Sequence, residues 1–493
     1  MSFEKCYQQN IKYPIHEWDS FVKKFPNGPN AIHRKNFYHP VYTIDPEGCQ
    51  DVDDGFSVYF ENDKLFLSIH IADPTHYFNV HRNSKSLFQE IRKRGMTYYP
   101  SGYKSQPIHM LPRDILNQSS LHTDKECDFK FTLTITTEID QTTYLPVSFS
   151  EDSLQFCVVE VRPENKYTYS QASQKNMFGN ALKISKSMRQ NREDSIKISN
   201  KTGLKFLSES HVYIYQYSER EIAMKEMIEE FAIFANMYIG EYLKHNNDIL
   251  QYRGIFRSCD ASFFVERYKN SDENNENIYK QLIVNNITAK YTDEFQTHDM
   301  IACNKLYTHF TSPIRRFSDC LCHFLLKYIY LKKQYKNVQN VSKILNPFTE
   351  PELKNMIQEV HLRTKINKKI SYLDQKFRKI QAIYCLLQNI NQKKDKKDIK
   401  YIIAECEVIS YKSGFVNILV TDIISNLTYT KFKINLSCSF WKKKNVNMEH
   451  FKVKISQIGL YNYQNDLYIP FTESGKIKDN EVFPEIYQMI QEL

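Results

Sequence analysis

No stretch of this 493-residue chain approaches 18 consecutive apolar residues, so nothing in it is expected to span a membrane. Its start, MSFEKCYQQNIKYP, holds no apolar run that could serve as a secretion signal, and a cytoplasmic protein is expected. The eleven cysteines include no CxxC pair and no Cys/His spacing suited to zinc. An odd, irregular set in a chain this long reads as reduced thiols in a cytosolic or nuclear compartment. Glycine is scarce, at 12 residues, whereas Lys, Asn, Ile and Tyr are heavily used, the bias of an AT-rich genome such as that of a large DNA virus. No internal repeat is evident. Charge of one sign is in only modest excess: 66 Lys and Arg against 57 Asp and Glu leave +9, which suits a polyanionic partner without demanding one.

What the chain does have is a concentration of carboxylates. Thr43–Gly55 reads TIDPEGCQDVDDG, with Asp45, Asp51, Asp53 and Asp54 inside ten residues. Carboxylates this close repel one another unless their pKa values rise or cations share the site. Hard cations such as Mg²⁺ bind through a few carboxylates plus substrate phosphate, so the cluster suggests metal-dependent phosphoryl transfer. A calcium loop is excluded by the pattern, since D-x5-D-x-D-D is not the EF-hand series. A solvated acidic turn stays open as the plainer alternative. The flanks VYTI and FSVYF, with LFLSIHIADP beyond, are β-type runs that would hold the aspartates rigidly. The 34 tyrosines and 32 phenylalanines supply surfaces on which unpaired bases could stack, although most must be core or ordinary surface.

At this length a large core and at least one smaller domain are expected. Residues 1–40 form a polar lead-in without periodicity. β-type runs dominate from Val41 to about Asp152, including Phe129–Asp140. Helical spacing takes over near residue 180, with a long amphipathic helix over Arg220–His245 whose polar members Glu229, Glu230 and Asn236 could face a channel. A further helical block runs from Pro351 to Asn391, and KKDKKD (Lys393–Asp398) reads as a solvated linker or helix end. Short alternating strands beyond it suggest a small barrel of the OB type used for oligonucleotides.

The second informative stretch is YTHFTSPIRRFSDCLCHFLLKY (Tyr307–Tyr328). Ser312-Pro313 is a good helix start, and Arg315 and Arg316 near a helix N-terminus make an anion-binding locus. An ordinary amphipathic helix with exposed arginines is the competing reading.

Taken together, the two segments resemble the ribonuclease II/R family, hydrolytic 3′→5′ exoribonucleases with an RNB catalytic domain. The family's acidic motif looks like TIDxxxxxDxDDA, met here by Thr43-Ile44-Asp45, Asp51, Asp53 and Asp54, with Gly55 for the usual alanine. IADPTHY (Ile71–Tyr77), Met110-Leu111-Pro112, EEFAIFAN (Glu229–Asn236) and YTHFTSPIRRFSD are similar to further family segments, in order, over roughly residues 40–390. The resemblance implies an α+β fold: an RNB catalytic domain over 41–395, with a mixed β-sheet core surrounded by helices, a degenerate OB-type RNA-binding barrel over 396–475, and a tail over 476–493. It implies that Asp45, Asp51, Asp53 and Asp54 hold one or two Mg²⁺ ions, with Mn²⁺ a substitute, and that Asp53 is indispensable to the chemical step. It gives Arg315 the scissile or terminal phosphate with Arg316 in support, and gives Tyr98 the 3′-terminal base, leaving Tyr99 to pack. His309 and His323 match family positions and could be structural.

Two departures stand out. The family's cold-shock barrels cannot fit in 40 residues, and Phe324 replaces the arginine that commonly follows the histidine. The expected activity is degradation of single-stranded RNA to nucleoside 5′-monophosphates by a monomer needing no small-molecule cofactor. A catalytically idle RNA- or partner-binding protein of the same fold is the main alternative, and an endonuclease using the same metals is another.

Overall fold

The computed structural model describes residues 32–78, 85–124, 127–147, 150–192, 202–208, 212–262, 287–301, 305–334 and 347–392, and the strands of 402–455 as backbone. Its centre is a five-stranded sheet built from β1 (Lys35–Phe37), β3 (Asp54–Glu61), β4 (Lys64–Ala72), β5 (Asp128–Ile139) and β6 (Leu154–Val161), in the order β1-β6-β5-β4-β3. All neighbours are antiparallel except β1, which runs parallel to β6. The β3–β4 hairpin turns at Asn62 and Asp63, both at positive φ, the tight turn whose twist suits paired strands. Strand β2 (Thr43–Asp45) pairs in parallel with β7 (Lys166–Thr168).

The sheet therefore begins at Lys35, before the boundary expected at 41. A three-residue polar strand has no periodicity to reveal it, and its pairing with β6 is a tertiary fact. The rest of the expected lead-in, residues 1–31, lies outside the described residues.

Helices cover the sheet: α1 (Lys85–Arg94), α2 (Arg113–Ser119), α3 (Gly179–Asn191), α4 (Glu219–His245), α5 (Phe317–Gln334) and α6 (Glu350–Gln392). Two short ribbons, β8–β9 (Thr202–Phe206 with Val212–Gln216) and β10–β11 (Phe256–Ser258 with Lys290–Thr292), complete this part. One apolar core joins sheet and helices, with Phe56, Ile71, Leu133 and Ile135 meeting Phe231, Phe310, Phe317, Leu321 and Leu325. Helix α4 starts at a capping box: the Ser218 hydroxyl accepts from Glu221 N (3.2 Å) while the Glu221 carboxylate accepts from Ser218 N (2.9 Å). Helix α5 is buried on every side from Phe317 to Ile329, which removes the reading of an ordinary amphipathic surface helix.

Toward the C-terminus, β12 (Ile402–Lys412), β13 (Phe415–Ser425), β14 (Lys431–Trp441) and β15 (His450–Ile455) form an antiparallel sheet in the order β14-β13-β12-β15. The closure expected of a barrel is not among their pairings, and residues 456–493, including the expected tail, lie outside the described residues. Among the described residues no helix is long and apolar enough to cross a membrane.

Candidate active site

The acidic segment is a loop fixed at both ends. Asp45 closes β2 and Asp54 opens β3, while Asp51 and Asp53 lie between them. Val52, fully buried, donates its backbone N–H to Ser120 Oγ (3.0 Å) and accepts at its carbonyl from Leu121 N (3.0 Å). Asp53 O accepts from Ala72 N (2.8 Å), tying the loop to the end of β4. Gly55 then allows a close approach: a Cβ there would meet Val41 Cγ1 at 2.9 Å and Tyr42 O at 3.1 Å, so β3 presses directly on the strand leading to Asp45. Asp51, Val52 and Asp53 are buried, so the aspartate end of the segment is not a solvated turn, although Pro46, Glu47, Gly48 and Gln50 before it are exposed.

Crowding and burial act on the carboxyls as expected. Burial, with Asp51 and Asp54 adding, pushes Asp53 up to about 7 against the pull of Arg315. Burial takes Asp54 to about 6, against Arg315 and Arg316. Asp45 rises well above its usual value through burial and the charges of Asp54, Asp53 and Asp51, and its Oδ2 is buried with no hydrogen-bond partner.

The arginine segment docks onto this loop from 262 residues away in sequence. Arg315 Nε donates to Asp53 Oδ2 at 2.8 Å, and Ile314 N donates to Asp53 Oδ1 at 2.8 Å. Arg315 Nη2 reaches Ser312 Oγ (2.8 Å), yet 43% of the side chain is exposed, so solvent reaches it beside the buried Asp53. Arg316 turns the other way and donates to Asp319 Oδ1 (2.8 Å). Asp319 also accepts from Ser312 N and the Ser318 hydroxyl (both 2.8 Å), so one buried carboxylate shapes the turn that aims both arginines.

Helix α4 sets the height of that turn. The Asn236 side-chain carbonyl accepts from Phe310 N (2.8 Å) while its amide donates to the Tyr307 hydroxyl (2.9 Å) and Thr311 Oγ1 (3.3 Å). One helical turn on, a Cβ at Gly240 would meet Leu306 O at 2.7 Å, so only glycine permits this contact. Of the three residues expected to face a channel, Glu230 and Asn236 are buried in the interior. Asn236 is a buried brace, and Glu230 is buried in ion pairs with Arg189 (3.1 Å) and Arg192 (2.5 Å). Glu229 is exposed on α4.

Tyr98, expected at the 3′-terminal base, is instead the packed member of the adjacent pair. Tyr98 is fully buried against Ile108, Ile366 and Ile370, and its hydroxyl donates to Asp374 Oδ2 of α6 (3.2 Å), so it offers no face to a base. Tyr99 is 41% exposed, and its hydroxyl donates to Asp51 Oδ2, at the mouth of the acidic cluster. Their segment is pinned from both sides: Thr97 N donates to Arg315 O (2.9 Å), and Ser101 N donates to Asp374 Oδ2 (2.5 Å). His309 is half-buried and its Nδ1 pairs with the Tyr291 hydroxyl (2.5 Å), away from the aspartates. His323 is buried, its Nε2 on Phe310 O (3.1 Å). Phe324, where arginine was expected, packs edge-on to Phe78 and Phe88.

A family model, "RNB domain", matches residues 34–332, well over half of the chain. This chain belongs to the RNB family. Ribonuclease R of Mycoplasmopsis pulmonis is 24% identical over 389 residues, covering 69% of this chain and 51% of that protein. The chain thus spans about half the length of such relatives. Among solved structures, Mycoplasma genitalium RNase R in complex with ribose-methylated single-stranded RNA superimposes with a TM-score of 0.65 at 16% identity, covering 92% of this chain and 76% of that one. Yeast Ssd1, described as a pseudonuclease, gives 0.51 at 14% identity, over 83% of this chain and 54% of its own. At such identities the structural likeness speaks for the RNB fold.

The RNB cluster suits a hard divalent cation in donor chemistry. The cluster offers oxygen donors only, burial above all raises the proton affinity of Asp45, Asp53 and Asp54, and Asp45 Oδ2 has no hydrogen-bond partner among the described residues. Among the described residues no three His, Cys, Asp or Glu side chains already enclose an ion, because Asp53 is bonded to Arg315 and Asp51 to Tyr99. That is compatible with Mg²⁺, which binds through one or two carboxylates and completes its shell with water and phosphate. Sequence reasoning left Tyr99 to pack and singled out neither Asp319 nor Asp374. The Ser-Asp pair after the arginines was visible, but nothing local reveals a carboxylate acting across 273 residues on Ser101.

Proposed function

We propose that this RNB protein hydrolyses single-stranded RNA from its 3′ end, releasing nucleoside 5′-monophosphates with Mg²⁺ as cofactor and Mn²⁺ as a workable substitute. The observation that carries the reading is the docking of Arg315 on Asp53: a phosphate-binding cation, still exposed on one side, is locked beside four clustered carboxylates. Asp45, Asp51, Asp53 and Asp54 would hold the metal, which when bound activates a water and steadies the leaving oxygen. Arg315 orients the reacting phosphate and offsets charge that develops on it, a contribution larger in the transition state than in the ground state. Tyr99, at the mouth, takes the base-stacking place expected of Tyr98. Stacking contributes on the order of 1–3 kcal/mol per base whatever its identity, in keeping with sequence-independent degradation. Arg316 and His309 support the RNA path, Arg316 from its pairing with Asp319 and His309 from its contact with Tyr291.

The proposed division is a catalytic domain starting at the β1 edge and running to about 395, then an OB-type RNA-binding module over 396–475 of which the four antiparallel strands are the visible part. A cytoplasmic monomer acting on RNA without a small-molecule cofactor completes the reading.

The idle alternative has one observation in its favour, the shared fold of a pseudonuclease. Against it, every aspartate of the motif and Arg315 are present and assembled. The test is Asp53→Asn: cleavage of a single-stranded RNA should vanish while its Kd changes only a few fold. Cleavage at the unaltered rate would refute the assigned site.

A further inference from the structure

The two inner aspartates of the cluster are held in different ways. Asp53 accepts from two N–H groups of the arginine turn, Ile314 N and Arg315 Nε (both 2.8 Å), so a cation already lies on its carboxylate. Asp51 is as deeply placed, at 6% exposed, but no charged group bonds to it. Among the described residues its donors are the Tyr99 hydroxyl, on Oδ2, and the Cys49 thiol, on Oδ1 at 3.6 Å. A thiol donates weakly, so the phenol fixes how this carboxylate is turned.

The segment that carries the phenol is rigid. Thr97 N donates to Arg315 O (2.9 Å), and Thr97 O accepts from Asn367 Nδ2 of α6 (3.4 Å). Tyr98 and Ile108 exchange both backbone hydrogen bonds (3.0 and 2.9 Å), and Pro100 restricts the backbone one residue further on. Tyr99 is 41% exposed, so little packing holds its ring, and the bond from its hydroxyl to Asp51 is what ties the side chain to the cluster. A phenol remains a protonated donor near neutral pH. A carboxylate offers about four lone-pair positions, so one phenol on Oδ2 leaves Oδ1 and more for a cation.

We propose, on the reading of the cluster as a divalent-metal site, that Tyr99 is a positioning residue for that metal, its hydroxyl orienting Asp51 as a ligand. Hydrogen-bonded partners of ligating carboxylates fix the ligand's orientation, and losing one typically lowers metal affinity about 10–100-fold. A neutral donor suits this task because it turns the carboxylate without cancelling its charge, as the guanidinium on Asp53 does in part. Thr97 on the arginine turn and Tyr99 on the acidic loop then make one short segment the spacer between the phosphate-binding arginine and the metal ligands. The ring and the hydroxyl of Tyr99 thus have separate uses, the face for a base and the oxygen for Asp51.

The test is binding of Mn²⁺ to the full chain without RNA, with free Mn²⁺ read by its electron paramagnetic resonance signal. Tyr99→Phe keeps the ring and deletes the oxygen, and it should raise the Mn²⁺ Kd by roughly 10-fold. Its thermal melt in EDTA should match that of the unaltered protein, which separates the effect from a loss of fold. Tyr98→Phe deletes the neighbouring hydroxyl, which serves Asp374, and should leave the Kd unchanged. Asp51→Asn should weaken Mn²⁺ binding by itself, and adding Tyr99→Phe to it should weaken it no further, because the phenol acts through Asp51. An unchanged or tighter Kd for Tyr99→Phe would overturn the assignment, as would an additional full loss on the Asp51→Asn background. An equal loss with Tyr98→Phe would also overturn it, by tracing the effect to the segment as a whole. A failure of the unaltered protein to bind Mn²⁺ would instead remove the metal reading, and this inference with it.

Discussion

Asp53 and Asp54 hold protons up to about 7 and 6 in the metal-free protein, against a usual value of 3.8. Because the folded state binds these protons more tightly than the unfolded chain does, the stability they contribute is complete below about pH 4 and is lost as pH rises through 7. Thermal melts in EDTA should therefore fall from pH 5 to pH 8, and Mg²⁺ should raise the melting temperature most at the upper end, where the carboxylates are ionised to receive it. A melt independent of pH and of Mg²⁺ would contradict the coupling. The neighbouring tyrosines give a second residue-scale expectation. Tyr99→Ala should release a longer limit product with initial rates on long RNA little changed, as read on a denaturing gel. Tyr98→Ala should instead destabilise the fold by roughly 3–5 kcal/mol, since it empties a buried aromatic site and strands Asp374. The opposite assignment would show up as a longer product with Tyr98→Ala alone. Adjacent residues in an extended segment point to opposite sides. The sequence YY therefore puts the two rings on opposite sides, and which side each takes depends on the bridge of Tyr98 to Ile108 and on α6.

At the scale of elements, the strongly periodic segments were legible and their partners were not. The helix expected over Arg220–His245 is found over Glu219–His245, and the strand expected over Phe129–Asp140 is found over Asp128–Ile139. The helical block expected from Pro351 to Asn391 is the single helix α6, Glu350–Gln392. Such spans follow from local periodicity and caps, which a sequence carries on its surface. The parallel β1–β6 edge, the Asn236 brace and the Asp374 tether depend on contacts between distant segments, and no local pattern encodes them. The brace yields a test. Asn236→Ala strips partners from Phe310 N, Tyr307 and Thr311 in a dry interior, which should cost about 2–3 kcal/mol in denaturant unfolding. It should also lower turnover by loosening the turn that carries Arg315, with less effect on RNA affinity. An equal loss of affinity with turnover intact would mean that the turn is held elsewhere.

Across the whole molecule, a buried charge network joins the residue before β1, the central sheet and helix α5. Asp73 at the end of β4 accepts from Arg34 (2.5 Å), Lys327 of α5 (2.8 Å) and Thr75 (2.7 Å), with no exposure of its own. Its carboxyl stays well below the usual range despite burial, because Lys327 and Arg34 compensate it. Lys327→Ala leaves part of that charge unmatched and should destabilise the protein by about 3 kcal/mol or more. An unchanged unfolding midpoint would show the network to be dispensable.

A working 3′→5′ hydrolytic site built from the carboxylate cluster and Arg315 makes a specific product pattern unavoidable. The most direct measurement is incubation of the full chain with 5′-labelled single-stranded RNA and Mg²⁺, resolved to single nucleotides. A descending one-nucleotide ladder that retains the label is expected, abolished by EDTA and by Asp53→Asn. RNA bound but left intact with Mg²⁺ or Mn²⁺, or cut only at internal positions, would contradict it.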